Sequence, residues 1–130
     1  MTLGSIPGKN IFNANDLDEV LCLEAREYRI QDGPVFIFLA MDAVSRHAHH
    51  HHLGTSASLD DHINFLKELF SKYPRIEGQI LATALPPMHH ERLHEEFPHF
   101  SQILHAPEKV SEITGDFHAG FRRMMQGHDK

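Results

Sequence analysis

Thiols and indoles are nearly absent from this chain: 130 residues carry one cysteine and no tryptophan. With Cys22 alone, no intrachain disulfide can form, so the fold must rest on its own packing, as is usual in a reducing compartment. Long apolar stretches are missing too. The longest, Pro34 to Met41, falls far short of the roughly 20 residues that cross a bilayer, and the N-terminal residues show no basic flank followed by an apolar segment. Neither membrane insertion nor secretion is expected, and the expected location is cytoplasmic.

Positive charge is also scarce. Twelve Lys and Arg stand against eighteen Asp and Glu, and the basic residues are scattered. Phosphate binding depends on clustered Lys and Arg that release counterions, so nucleic acid is not an expected partner. There is no Gly-rich phosphate loop, no G-x-S-x-G elbow and no paired CxxC. Nucleotide hydrolysis, serine hydrolase chemistry and structural zinc ribbons therefore lack positive support.

What the chain has in excess is histidine, thirteen residues in all. Imidazole titrates near pH 6.5, so mild acidification can add up to thirteen positive charges to a chain whose net charge is −6. The remaining composition, 41% hydrophobic and 23% charged, is that of a globular domain able to bury a core unaided. One domain is expected over 16–126, preceded by an arm at 1–15 that is flexible or forms an edge strand, and followed by a frayed tail at 127–130.

Along the chain, Leu21, Leu23 and Ala25 alternate as in a strand, although Leu17, Val20, Leu21, Glu24 and Tyr28 also fit a helical stripe; the strand is favoured. Gln31-Asp32-Gly33-Pro34 then signals a turn, and Val35 to Leu39 reads as a buried central strand. Asp42 is placed to cap a short helix through Ala43, Val44 and the histidines that follow. Ser58, with Asp60 and Asp61 behind it, opens the clearest helix, whose stripe is Leu59, Ile63, Leu66, Leu69, Phe70 and Tyr73.

Pro74 is suited to start a second helix carrying Ile76, Ile80, Leu81 and Ala84, weakened by Gly78 and ended by Pro86-Pro87. A polar helix from Met88 to Phe97, an apolar patch at Phe100, Ile103 and Leu104, and helical pieces around Val110, Ile113, Phe117, Phe121, Met124 and Met125 complete the pass. Strands first and helices after predict an α+β fold: a small antiparallel sheet of two or three strands in the N-terminal half, covered on one face by several helices. So small a sheet leaves edges open, which favours pairing with a second copy as a homodimer.

Three features bear on chemistry. His47-Ala48-His49-His50-His51-His52 supplies consecutive imidazoles that could wrap Zn²⁺ or Ni²⁺, with His49, His50, His51 and His52 as the main donors; the alternative is a solvent-exposed helix cap or loop. His90-Glu91-Arg92-Leu93-His94 matches H-E-x-x-H, which on a helix puts His90 and His94 on one face for zinc and Glu91 beside a metal-bound water. His99, His105 or Glu96 could add a third ligand, and His89 could join the cluster. In bare pattern these five residues resemble the zincin metallopeptidase signature, which implies a zinc hydrolase. The chain departs from that signature in its charged Arg92 and Glu95, in Pro86-Pro87 just upstream, and in lacking the glycine turn that precedes a third histidine in some members.

Cys22 lies within Val20-Leu21-Cys22-Leu23 and reads as a small core residue rather than a nucleophile. No catalytic residue is assigned. The leading expectation is a domain that works by association, with itself or with another protein, without catalysis. The second is histidine-mediated binding of a transition metal, and the third is a zinc hydrolase.

Overall fold

The computed structural model describes residues 20–74 and 80–128, with 124–128 as backbone only. The 1–15 arm lies outside these residues, as do Ile76 and Gly78 of the expected second helix and the side chains of Met124 and Met125. The elements are β1 (Val20–Ile30), β2 (Gly33–Asp42), β3 (Ala48–Gly54), α1 (Leu59–Lys72), β4 (Ile80–Thr83), a 3-10 turn at Pro87–His89, α2 (His90–Glu96), β5 (Gln102–His105) and α3 (Pro107–His128).

The five strands form one sheet in the order β3-β2-β1-β4-β5. β1, β2 and β3 run as an antiparallel meander, while β4 joins β1 in parallel and β5 joins β4 in parallel. The class is still α+β, but the expected two- or three-stranded antiparallel sheet is overturned by this mixed sheet of five. Two of its strands come from the C-terminal half.

Each difference has a physical cause. Ile80-Leu81-Ala82-Thr83 is buried at every position, and a strand covered on both faces reads as a short apolar run that periodicity cannot tell from helix. β5 is a four-residue strand made from the apolar patch at Ile103 and Leu104. β3 is built from the histidines themselves, and four identical residues in a row give no alternation by which a pleat could be recognised.

Helices also cover both faces instead of one. Leu21 and Leu23 of β1 and Phe38 and Ala40 of β2 pack against Ile63, Phe65, Leu66 and Leu69 of α1 and Leu93 of α2. The alternate residues, Val20, Cys22, Leu39 and Met41, face Val110 and Ile113 of α3. Each large apolar side chain withdrawn from water in this way contributes about 1.5–3 kcal/mol before entropy is counted. β1 rather than β2 is the middle strand, though both are covered on two sides.

The expected β1 strand and its turn are present, with Gly33 at φ 122° where a residue with a Cβ would be strained. The helix after Ser58 is present as well. Ser58 accepts from the Asp61 backbone N–H while the Asp61 side chain accepts from the Ser58 N–H, a reciprocal cap. Asp42, by contrast, does not start a helix. Its Oδ1 accepts from the Val44 and Ser45 N–H groups at 2.8 and 2.7 Å, closing the turn that leads into β3. The pieces of helix expected near the C-terminus are one helix, α3, because Val110, Ile113, Thr114 and His118 anchor it to the sheet on either side of Gly115.

Candidate functional site

β3 pairs only with β2 among the described residues, so the histidine tract forms one edge of the sheet. The pleat divides it. His50 and His52 stand opposite Ala40 and Phe38 and so point toward α1, whereas His51 stands opposite Leu39 on the α3 side. His50 stacks on Phe65 with ring centres 5.3 Å apart and places Nε2 2.5 Å from Glu68 Oε1. His51 lies against Phe117 at 5.7 Å. Consecutive imidazoles on a pleated strand thus serve two different helices and do not gather round one point.

The ladder slips between Ala40 and Met41, where Met41 pairs with Ala48 and Ala40 with His50, leaving His49 as the extra residue of a bulge. Just upstream, Arg46 adopts φ 65°, an uncommon left-handed conformation for a residue with a side chain. Bulge and turn together bring the rings of His47 and His49 to 5.1 Å, nearly perpendicular at 77°.

Between the end of β3 and α1 opens a cleft of about 430 Å³, floored by Phe38 and Phe65 and rimmed by His52, Leu53, Asp61, Asn64 and Glu68. Its carboxylates are already engaged. Hydrogen bonds from Ser56 and Ser58 hold Asp61 below the ordinary carboxylate range, and the bond with His50 does the same for Glu68.

The H-E-x-x-H segment occupies the 3-10 turn and the seven-residue α2. Only Leu93 of α2 is buried in the core; His94 and Glu91 are exposed. His90 Nε2 donates to the Leu85 carbonyl oxygen at 3.0 Å, and its ring lies 6.5 Å from that of His105. Arg92 is drawn to Asp60 and Glu96 across the outer surface. Of the other ligands considered, His99 packs on Phe70 and Phe100 at 4.9 and 4.3 Å, and burial pushes its imidazole pKa down. Among the described residues no group of three or more His, Cys, Asp or Glu is arranged to hold a metal ion.

The most connected polar cluster joins β1 to α3 and was not legible as a site. His118 is fully buried, with Nε2 2.7 Å from Glu24 Oε1 and Nδ1 2.7 Å from the Tyr28 hydroxyl. An ionised Glu24 can only accept, so Nε2 carries the proton, and in a neutral ring Nδ1 then accepts from Tyr28. Thr114 donates to the same Glu24 oxygen at 3.0 Å, and Arg26 donates to the other at 3.0 Å and to the Ser111 hydroxyl at 2.9 Å. Burial by itself would push the Glu24 carboxyl up; the His118 bond, the Arg26 charge and the Thr114 bond outweigh it and hold the pKa below the usual value. Burial also raises the Tyr28 phenol, against the pull of Arg122, whose guanidinium stands 5.6 Å over the ring.

Two spacings carry the two halves of this cluster in the sequence, but not their meeting. Glu24, Arg26 and Tyr28 alternate along one face of a strand, and Ser111, Thr114 and His118 recur at three and four residues along a helix. Both nitrogens of His118 are used within the protein, so the arrangement acts as a tie between layers. Cys22 is fully buried and its thiol is pushed up to about 12 by burial, as fits a core residue. No helix among the described residues is long and apolar enough to cross a membrane. No protein-family model matches the chain, and no curated protein matches it.

Proposed function

We propose that this protein works by association, without catalysis, and that the surface it uses is the outer edge of β3. The observation that carries the reading is the edge itself. Seven residues run extended with backbone groups on one side unmatched by any described strand, and Leu53 at its end is 58% exposed. Edges are ordinarily blunted by lysine, proline or a bulge; β3 has neither lysine nor proline, and beyond its one bulge, at His49, His50 to Gly54 run in regular register with β2. A strand from another molecule would extend the ladder, as in other cases of strand addition.

The simplest partner is a second copy. An antiparallel pair centred on His51 superposes the whole of β3 on itself, facing imidazole with imidazole over the middle of the contact. The groups elsewhere that carry chemical potential favour this reading over catalysis, because they are committed internally: His118 to Glu24 and Tyr28, His90 to Leu85, Asp61 to Ser56 and Ser58. Sedimentation velocity over a range of concentrations tests it. The wild-type chain is expected to self-associate and Leu53→Lys to sediment as a monomer with an unchanged circular dichroism spectrum. A wild-type chain that stays monomeric at high micromolar concentration contradicts pairing with itself.

A further inference from the structure

We propose that the histidines of β3 gate its pairing by pH, leaving the edge open to a second copy while they are neutral and closing it once they are protonated. The inference rests on the pairing of β3 with itself proposed above and adds its control. Lysine protects an edge strand because its charge is costly to bring against another of the same sign or to strip of water. Histidine offers that protection only in acid, since an exposed imidazole gains its proton as pH falls through about 6.5.

The topology puts these charges where they oppose one another. In an antiparallel pair centred on His51, that residue stands opposite its own counterpart, while His50 and His52 stand opposite His52 and His50 of the second copy. Directly opposed residues have Cβ atoms about 4.5–5.5 Å apart, near enough for like charges to destabilise the pair. Three imidazoles from each copy therefore meet three from the other. His51 and His52 are exposed, so protons reach them from solvent.

Little around them offsets a positive charge. On the α3 side His51 stands opposite Leu39 of β2 and lies against Phe117 of α3. The next residue of that helix, His118, is bonded to Glu24 and Tyr28, and Glu112, Asp116, Arg122 and Arg123 are exposed. On the α1 side Phe38 and Ala40 of β2 carry no charge, and His62 is buried against Phe38. Glu68 of α1 is bonded to His50 and lies 3.7 Å from Lys72 Nζ; Asp61 is held by Ser56 and Ser58. The turn and bulge at the start of the strand bring Arg46, His47 and His49, which add no acid, and the carboxylate there, Asp42, closes the turn. Among the described residues neither His51 nor His52 makes an ion pair.

The test is sedimentation velocity of the full chain at pH 8 and at pH 5.5, with circular dichroism at both to follow the fold, for the wild type and for His51→Gln/His52→Gln. The readout is the ratio of the dissociation constants at the two pH values, expected to be about tenfold or more in the wild type and near one in the variant. Sodium chloride at about 1 M, which screens charges beyond roughly 3 Å, is expected to bring the wild-type ratio toward one. A wild-type chain that pairs equally at both pH values overturns the gate and leaves the pairing standing. A variant ratio as large as that of the wild type overturns the gate too, because the loss then comes from elsewhere in the molecule. If the variant pairs too weakly to give a ratio, the salt series decides: a wild-type ratio that salt leaves unchanged overturns the gate. A wild-type chain that is monomeric at pH 8 overturns the pairing and the gate with it.

Discussion

His118 Nε2 stands 2.7 Å from Glu24 Oε1, a buried contact between residues 94 positions apart that fastens the last helix to the middle strand. Removing the ring leaves an ionised carboxylate with one partner fewer and a void beside Tyr28. His118→Ala is expected to cost about 2–4 kcal/mol, and Tyr28→Phe, which deletes a single hydroxyl, about 1 kcal/mol. Urea unfolding followed by circular dichroism measures both. A loss below about 0.5 kcal/mol in His118→Ala would show that the contact does not tie α3 to the sheet.

Acid should weaken the fold in two stages. His62 is buried beneath Phe38, and burial pushes its pKa below the ordinary value of about 6.5. The unfolded chain therefore takes up that proton first, and the stability His62 contributes is lost as pH falls from about 6.5 toward its folded pKa. Glu24 and Glu68 are depressed from an ordinary value of about 4.3, so their contribution is intact above that pH and lost as pH falls through their lower folded values. The unfolding free energy measured from pH 8 to pH 3 is expected to step down twice. Glu24→Gln should flatten the lower step and leave the upper one; a lower step unchanged in that variant would exclude Glu24 as its source.

Cys22 should be chemically silent in the native state. Its thiol is fully buried and pushed up to about 12, so the reactive thiolate is scarce at neutral pH and inaccessible. Alkylation by iodoacetamide at pH 8 is expected to follow the opening of the sheet, slow in buffer and fast in urea above the unfolding midpoint. Equal rates in the two conditions would contradict the burial of this residue.

What the sequence made legible follows the strength of local signals. Ser58 with Asp60 and Asp61 announced α1, and the alternation of Leu21, Leu23 and Ala25 with the turn at Gly33 announced the first hairpin, because capping and pleating there act within a few residues. β4 and β5 have four residues each and are held by partners far away in the chain, so nothing local marks them. The separation of His50 from His51 by the thickness of the sheet was equally hidden, since it depends on the register with Ala40 and Leu39. For the same reason the pairing of Glu24 with His118 could not be anticipated. The alternation on β1 and the spacing on α3 were each visible, but not that the two elements would lie face to face.

The bulge at His49 has a consequence for how this stretch can change. β3 is tied at its start by the turn that Asp42 closes, and at its end it passes close over the Phe38 ring, where a Cβ at Gly54 would meet the ring at 3.2 Å. Because the four histidines are identical, losing any one of them amounts to losing the bulge, and every imidazole beyond it would keep its face; gaining one asks either for a second extra residue or for a strand turned over, with the imidazole that serves Glu68 sent toward Phe117 and the reverse. Shortening the tract by one is thus the tolerated change and lengthening it by one the costly one, an asymmetry that the unmatched residue alone creates.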